Sequence, residues 1–197
     1  MPRVAIPRPL AAAVTALALA GTLAAAPPLR APLAPDTVVL LVRHAEKAVE
    51  PGNDPSLSVA GEARAKALAE ALRDAGVQAI VTTQLKRTRL TAQPLAESLK
   101  LTPEVVPAGG AAHADSVAAA VRRHAGHTVL VVGHSNTVPA IIAALGGPKL
   151  PDICDAEHAN LFVVVIPEGG PARLVRSRYG TADTVAAGAC AAMMPAR

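Results

Sequence analysis

The sequence predicts an α/β sandwich in three layers, with a mostly parallel central sheet, helices on both faces and a C-terminal antiparallel hairpin. Three observations lead there. Short apolar runs at 38–42, 77–82 and 128–132 alternate with longer Ala- and Leu-rich segments, the pattern of β-α units. Two further apolar runs at 161–166 and 172–179 have no helix between them, so they add a hairpin rather than a crossover. At 197 residues the chain is long enough to bury one good core, and not comfortably two.

Taken in order, Val38-Val39-Leu40-Leu41-Val42 is a buried strand that runs straight into Arg43-His44. The Pro/Gly/Asn/Asp loop at 49–55 is placed to lie over that strand end. Ser58 as N-cap and Gly76 just past the end bracket a helix over 59–75, with Leu68 and Leu72 four apart among alanines. Strand 77–82 leads to a helix over 84–99, marked by Leu85, Leu95 and Leu99, in which Pro94 predicts a kink or a division. An edge strand at 104–106 and a Gly-rich loop at 107–114 precede a helix over 115–125, with Asp115 as N-cap and Gly126 as stop. The strongly β-branched strand 128–132 enters Gly133-His134-Ser135-Asn136, and a helix over 137–145 ends at Gly146-Gly147-Pro148. Pro167-Glu168-Gly169-Gly170-Pro171 turns the hairpin.

Residues 1–26 have the form of a secretory signal: Arg3 and Arg8, an apolar stretch at 10–23, then small residues. Export to a periplasm or outside the cell is expected. An uncleaved membrane anchor is the alternative, and contact with a membrane depends on it. Segment 27–36, rich in proline, is a linker, 37–180 the folded domain and 181–197 a tail with weak signals. Cys154 and Cys190 are the only cysteines, either one disulfide in an oxidising compartment or two buried thiols. The net charge of +4 is modest, and with one Tyr, one Phe and no Trp the basic residues lack aromatic neighbours, so no nucleic-acid partner is expected. The core, in a chain 51% hydrophobic, must be packed from Ala, Val, Leu and Ile.

Three strand-to-helix junctions carry matching polar groups: Arg43-His44, Lys86-Arg87 and His134-Ser135-Asn136. The C-terminal ends of parallel strands share one edge, so these groups can surround one anion. Two guanidiniums and two imidazoles suit the oxygens of a phosphoryl group.

At these residues the sequence resembles the histidine phosphatase superfamily, the phosphoglycerate-mutase-like proteins. Leu41-Val42-Arg43-His44-Ala45-Glu46 is similar to its Arg-His-Gly/Ala signature, Thr83 to Ala92 to its Ser-x-x-x-Arg-x-x-x-Thr-Ala stretch, and Val132 to Asn136 to its second-histidine motif. The three stand in the family's order, and the match runs over about 37–180. The resemblance implies a small phosphorylated substrate, His44 as the nucleophile that takes up the phosphoryl group, and Arg43, Arg87 and His134 as the holders of its oxygens. A neutral imidazole is a good nucleophile near neutral pH, and a P–N bond is labile to water, so neither cofactor nor metal is called for. The histidines also lack a short metal-ligand spacing such as H-x-x-x-H.

Arg89 competes with Arg87 but points to another side of the helix, and Thr91 shares the face of Arg87. Glu46 and Lys47 either line the pocket mouth or form a surface ion pair. Larger members of the family carry a Glu that protonates the leaving group between the second Arg and the second His. Here that segment offers Glu97, Glu104 and Asp115, of which Asp115, beyond the Gly-rich loop, is the choice for proton donor, with His113 as a further candidate. Its other role is that of a plain N-cap. A weak or absent acid suits good leaving groups such as phosphohistidine better than alkyl phosphates. Two alternatives stand beside this reading. One is a non-catalytic phosphate-binding domain on the same fold. The other is a serine hydrolase with Ser135 as nucleophile and Asp152 or Asp155 with His158, which leaves Arg43-His44 unexplained.

Overall fold

The computed structural model describes residues 35–184 and 190. The signal or anchor segment 1–26, most of the linker and most of the tail lie outside the described residues. Ten elements follow one another: β1 (Thr37–Arg43), α1 (Val59–Leu72), β2 (Val77–Thr82), α2 (Lys86–Leu99), β3 (Glu104–Val105), α3 (His113–Arg122), β4 (Thr128–Gly133), α4 (Thr137–Ala144), β5 (Asn160–Ile166) and β6 (Arg173–Arg178).

The six strands form one sheet in the order β3-β2-β4-β1-β5-β6. β1, β2, β3 and β4 are parallel, while β5 runs antiparallel to β1 and β6 antiparallel to β5. Successive residues of a strand face opposite sides, and β1 shows the consequence. Val39 and Leu41 pack with Val117, Val121, Ile141 and Ile142 of α3 and α4, whereas Leu40 and Val42 pack with Leu68, Leu72 and Leu95 of α1 and α2. The α/β sandwich with a C-terminal antiparallel hairpin is therefore observed. Leu41 and Leu68 are fully buried, and truncating either to Ala costs about 2–5 kcal/mol in a close-packed core.

Three local expectations need correction, and one open alternative closes. Pro94 does not divide α2, which runs unbroken through it. Proline removes one backbone donor, and packing of Ala92, Leu95 and Ala96 into the core offsets that loss. The helix expected over 115–125 begins earlier, so Ala112 is its N-cap and Asp115 lies in the first turn. The physical reason is His113, which is buried, with its imidazole Nδ1 2.9 Å from the Pro107 carbonyl it serves as donor. The described tail residues are not idle either: the Asp183 carboxylate, 2% exposed, accepts from the backbone N–H groups of His158 and Ala159. Finally, Cys154 and Cys190 form a disulfide.

One glycine sets the position of α1. Ser58 caps that helix by accepting from Gly61 N–H, and Ser58 N–H donates to the Glu46 carbonyl at 2.9 Å. A Cβ at Gly61 would come within 2.2 Å of that same carbonyl oxygen, so the helix can approach the exit of β1 this closely only with glycine there.

Candidate active site

Parallel pairing aligns Arg43 at the end of β1 with Gly133 at the end of β4, and β2 ends on the other side of β4. The three junctions seen in the sequence therefore meet at one sheet edge. His44 N–H donates to the Gly133 carbonyl at 2.9 Å, which ties the first junction to the third. Thr91, fully buried, ties in the second: its hydroxyl donates to the Arg87 carbonyl at 2.7 Å and accepts from Ala45 N–H at 2.9 Å.

The rings of His44 and His134 stand edge to face with centroids 5.4 Å apart. His44 is 3% exposed, and its Nδ1 lies 2.9 Å from the Ala45 carbonyl. A carbonyl only accepts, so Nδ1 carries the proton and the lone pair is left on Nε2. Burial, reinforced by the positive charges of Arg43, His134 and Arg87, lowers the imidazole from its ordinary value to about 3, so it is neutral at physiological pH. His134 is lowered to about 4, by burial first and then by Arg87 and His113. Its Nε2 lies 3.3 Å from the Thr83 hydroxyl, which in turn lies 2.9 Å from that of Thr88. Thr88 gives its own hydrogen to the Thr83 and Leu85 carbonyls, so Thr83 donates to Thr88 and accepts from His134 Nε2–H. His134 Nδ1 is buried with no partner.

Arg43 and Arg87 both bear on His44 electrostatically. Arg43 is 3% exposed and donates to the Cys154 carbonyl at 2.9 Å, the Glu157 carbonyl at 3.3 Å and the Asp155 carboxylate at 2.9 Å. Asp155 is 92% exposed, so the pair is wet and the two carbonyls fix the guanidinium. Arg87 is held loosely: its nearest anion is Asp54, at 3.8 Å, and its Nε is buried without a partner. Asp54 belongs to the loop 49–55 and accepts from Lys86 N–H at 2.9 Å, so that loop does reach the start of α2.

The structure thus brings Arg43, His44, Arg87 and His134 together and leaves Asp115 apart. Asp115 is exposed on the first turn of α3 and makes no hydrogen bond among the described residues. Glu97 is paired with Gln93 at 2.6 Å and Glu104 with Arg123, so none of the three carboxylates expected between Arg87 and His134 joins the cluster. His113 is nearer, with Nε2 buried and unpartnered and its charge acting on His134. Arg89 is exposed. Ser135 bonds no histidine among the described residues; its carbonyl accepts from Ile153 N–H. Among those residues no three His, Cys, Asp or Glu side chains converge as a metal site, and no helix is long and apolar enough to cross a membrane.

A second layer escaped the sequence. Glu46 forms no pair with Lys47; its carboxylate takes the Arg64 guanidinium at 2.8–3.0 Å, and Arg64, 6% exposed, also reaches the carbonyls of Tyr179 and Thr181 and the carboxylate of Asp183. Glu46 is held below its ordinary value, burial opposing and Arg64 prevailing. Arg64, Tyr179, Thr181 and Asp183 carry no periodic or motif signal, since Arg64 lies 115 to 119 positions from the other three. The His158 ring stands edge to face with that of His44, with centroids 6.3 Å apart. Beside it opens a cavity of about 490 Å³ lined by Glu46, Arg64, His158, Asp183 and several alanines. A larger one of about 570 Å³, near Arg89 and Gln93, contains none of the four clustered residues.

The family model described as histidine phosphatase superfamily (branch 1) matches residues 39–108. No curated protein matches the chain in sequence. Among solved structures, the protein histidine phosphatase SixA complexed with tungstate is similar at 19% identity and a TM-score of 0.59, over 72% of this chain and 96% of that one. A mycobacterial glucosyl-3-phosphoglycerate phosphatase aligns at 20% identity and TM-score 0.58, over 74% and 100%. YhfR from Bacillus stearothermophilus aligns at 18% and 0.56, over 71% and 95%. At such identities the likeness establishes the fold. The family match over 39–108 and the fold of the whole described domain agree with each other.

Proposed function

We propose that the protein is a metal-independent phosphatase that hydrolyses a small phosphomonoester or phosphohistidine-type substrate through a covalent phosphohistidine at His44. The observation that carries this reading is the state of His44: neutral, with Nδ1 occupied by the Ala45 carbonyl and a lone pair on Nε2 at the meeting point of two guanidiniums and a second imidazole. In the first step Nε2 attacks phosphorus and the bond to the leaving group breaks. Arg43, Arg87 and His134 then bear the charge that spreads over the phosphoryl oxygens, and such fixed donors act most strongly as the transition state develops. His134 Nδ1, which has no partner in the protein, donates to a phosphoryl oxygen once the bound anion has raised the affinity of that imidazole for a proton. In the second step water cleaves the P–N bond.

No carboxylate from the segment between Arg87 and His134 reaches the cluster among the described residues, which supports substrates whose leaving group needs little protonation, phosphohistidine foremost. The signal-like segment 1–26 and the Cys154–Cys190 disulfide both support export to an oxidising compartment. In a steady-state assay with p-nitrophenyl phosphate, His44→Ala is expected to lose at least about 10³-fold in turnover while the protein stays folded. Full turnover by that variant would refute the mechanism, as would parent activity that a chelator abolishes. Loss of activity in Ser135→Ala with His44→Ala unaffected would favour the hydrolase.

A further inference from the structure

We infer that His158 is a further catalytic residue of this site: it accepts the proton of the water that hydrolyses the phosphohistidine at His44. The inference rests on the reaction proposed above. Its ground is geometric. The His158 ring stands edge to face with that of His44 at 6.3 Å between centroids, which places it beside any phosphoryl group that His44 carries. His158 is half-buried and also lines the 490 Å³ cavity, so it touches the nucleophile's surroundings on one side and a route for water on the other.

The placement is built from several independent parts. Asp183 accepts from the backbone N–H groups of both His158 and Ala159, at 2.9 and 3.1 Å. The Asp183 carboxylate is itself 3.5 Å from Arg64, which Glu46 clamps with both oxygens. Immediately upstream, Arg43 holds the carbonyls of Cys154 and Glu157, and the disulfide ties Cys154 to Cys190. Downstream, β5 pairs with β1. Four anchors on a six-residue stretch, 154–159, are more than a surface turn requires, and together they fix one ring against His44. The ring nitrogens of His158 make no hydrogen bond among the described residues, so they are available to water.

The step balances. The oxygen of water forms a bond to phosphorus and passes one proton to a ring nitrogen of His158. The bond from phosphorus to His44 Nε2 breaks, and its electron pair returns to that nitrogen, leaving the neutral Nδ1–H imidazole from which the cycle began. Phosphate departs, and His158 releases its proton to solvent or to the next leaving group. The groups facing His158 are Arg43 and His44 from β1 and its exit, Glu46 from the loop after it, Arg64 from α1 and Asp183 from the C-terminal segment. Burial and the two arginines favour its neutral, proton-accepting form, and Glu46 and Asp183 oppose them.

The test uses the full chain and rapid mixing with p-nitrophenyl phosphate, whose leaving group needs no acid. His158→Gln is expected to release about one equivalent of p-nitrophenolate in a burst and then turn over about 10²–10⁴-fold more slowly than the parent, with phosphohistidine detectable on the protein under alkaline conditions. Added imidazole is expected to restore turnover in His158→Ala. Turnover of His158→Gln at the parent rate overturns the inference, and so does slow turnover without a burst, which would put the defect in the first step or in the fold. A burst in His113→Gln with none in His158→Gln assigns the role to His113 instead. His44→Ala, run in parallel, separates the two levels: if it turns over, the covalent mechanism fails, whereas if only His158→Gln behaves like the parent, the inference alone fails.

Discussion

The two cations beside His44 are held in opposite ways. Arg43 is locked by carbonyls of the C-terminal stretch 154–157, which a disulfide and the antiparallel strands hold in turn. Arg87 stands at the start of α2 with only a 3.8 Å approach to Asp54 from the loop 49–55. One cation is fixed by backbone carbonyls, and the other is approached only by a loop carboxylate. In the proposed mechanism this becomes a division of labour: the Arg43 flank sets geometry, and the Arg87 flank admits the substrate.

Substituting each arginine tests that division most strongly. Both Arg43→Met and Arg87→Met are expected to lower kcat/KM by about 10²–10³-fold through loss of phosphoryl stabilisation. Only Arg43→Met is expected to reduce stability as well, by about 1–3 kcal/mol in urea melts, because it removes the guanidinium donor from the Cys154 and Glu157 carbonyls. Equal stability losses would break the comparison. Next in size, replacing Cys154 and Cys190 by Ser opens a link of 36 positions and is expected to cost about 2–4 kcal/mol, with a smaller fall in kcat than Arg43→Met.

Acid should act on the centre that the two flanks share. His44 and His134 are held down to about 3 and about 4, so between those values and about 6.5 the unfolded chain binds protons that the folded one refuses. Their contribution is fully present above the ordinary imidazole value and is lost as the pH falls toward 4. Unfolding free energies measured from pH 7.5 down to about 4.5 are expected to decline, and His44→Asn to decline less steeply. A slope unchanged by that substitution would contradict the burial of His44. Smaller still, Asp54→Ala is expected to lower KM a few-fold and cost about 1 kcal/mol of stability, since it removes a negative charge from Arg87 and an acceptor from Lys86 N–H. Arg89→Ala, on the exposed side of α2, should leave kinetics unchanged.

Much of this molecule is legible in its sequence because the relevant signals are local. Alternating β-branched runs and capped Ala/Leu segments specify β1 to α4, and the three polar junctions follow from parallel strands ending at one edge. Of the two outcomes that Pro94 predicts, the division does not occur, because the apolar face of α2 outweighs one missing donor. Asp115 misleads because the buried His113 starts α3 early and turns the carboxylate to solvent. Arg64, Asp183 and His158 are illegible for a different reason: their roles exist only once β5 has paired with β1, a contact between distant parts of the chain.

That long-range closure has a consequence for biogenesis. Arg43 is emitted early, yet its carbonyl partners lie 111 and 114 positions later, and Arg64 waits 115 and 117 positions for its own. A chain that emerges from its N-terminus can form β1 to β4 well before it can orient the guanidinium or seat His158. Contacts of such separation form late. His44 is therefore synthesised long before its surroundings are complete, and a product cut short ahead of Asp183 would carry His44 without the frame that closes around it.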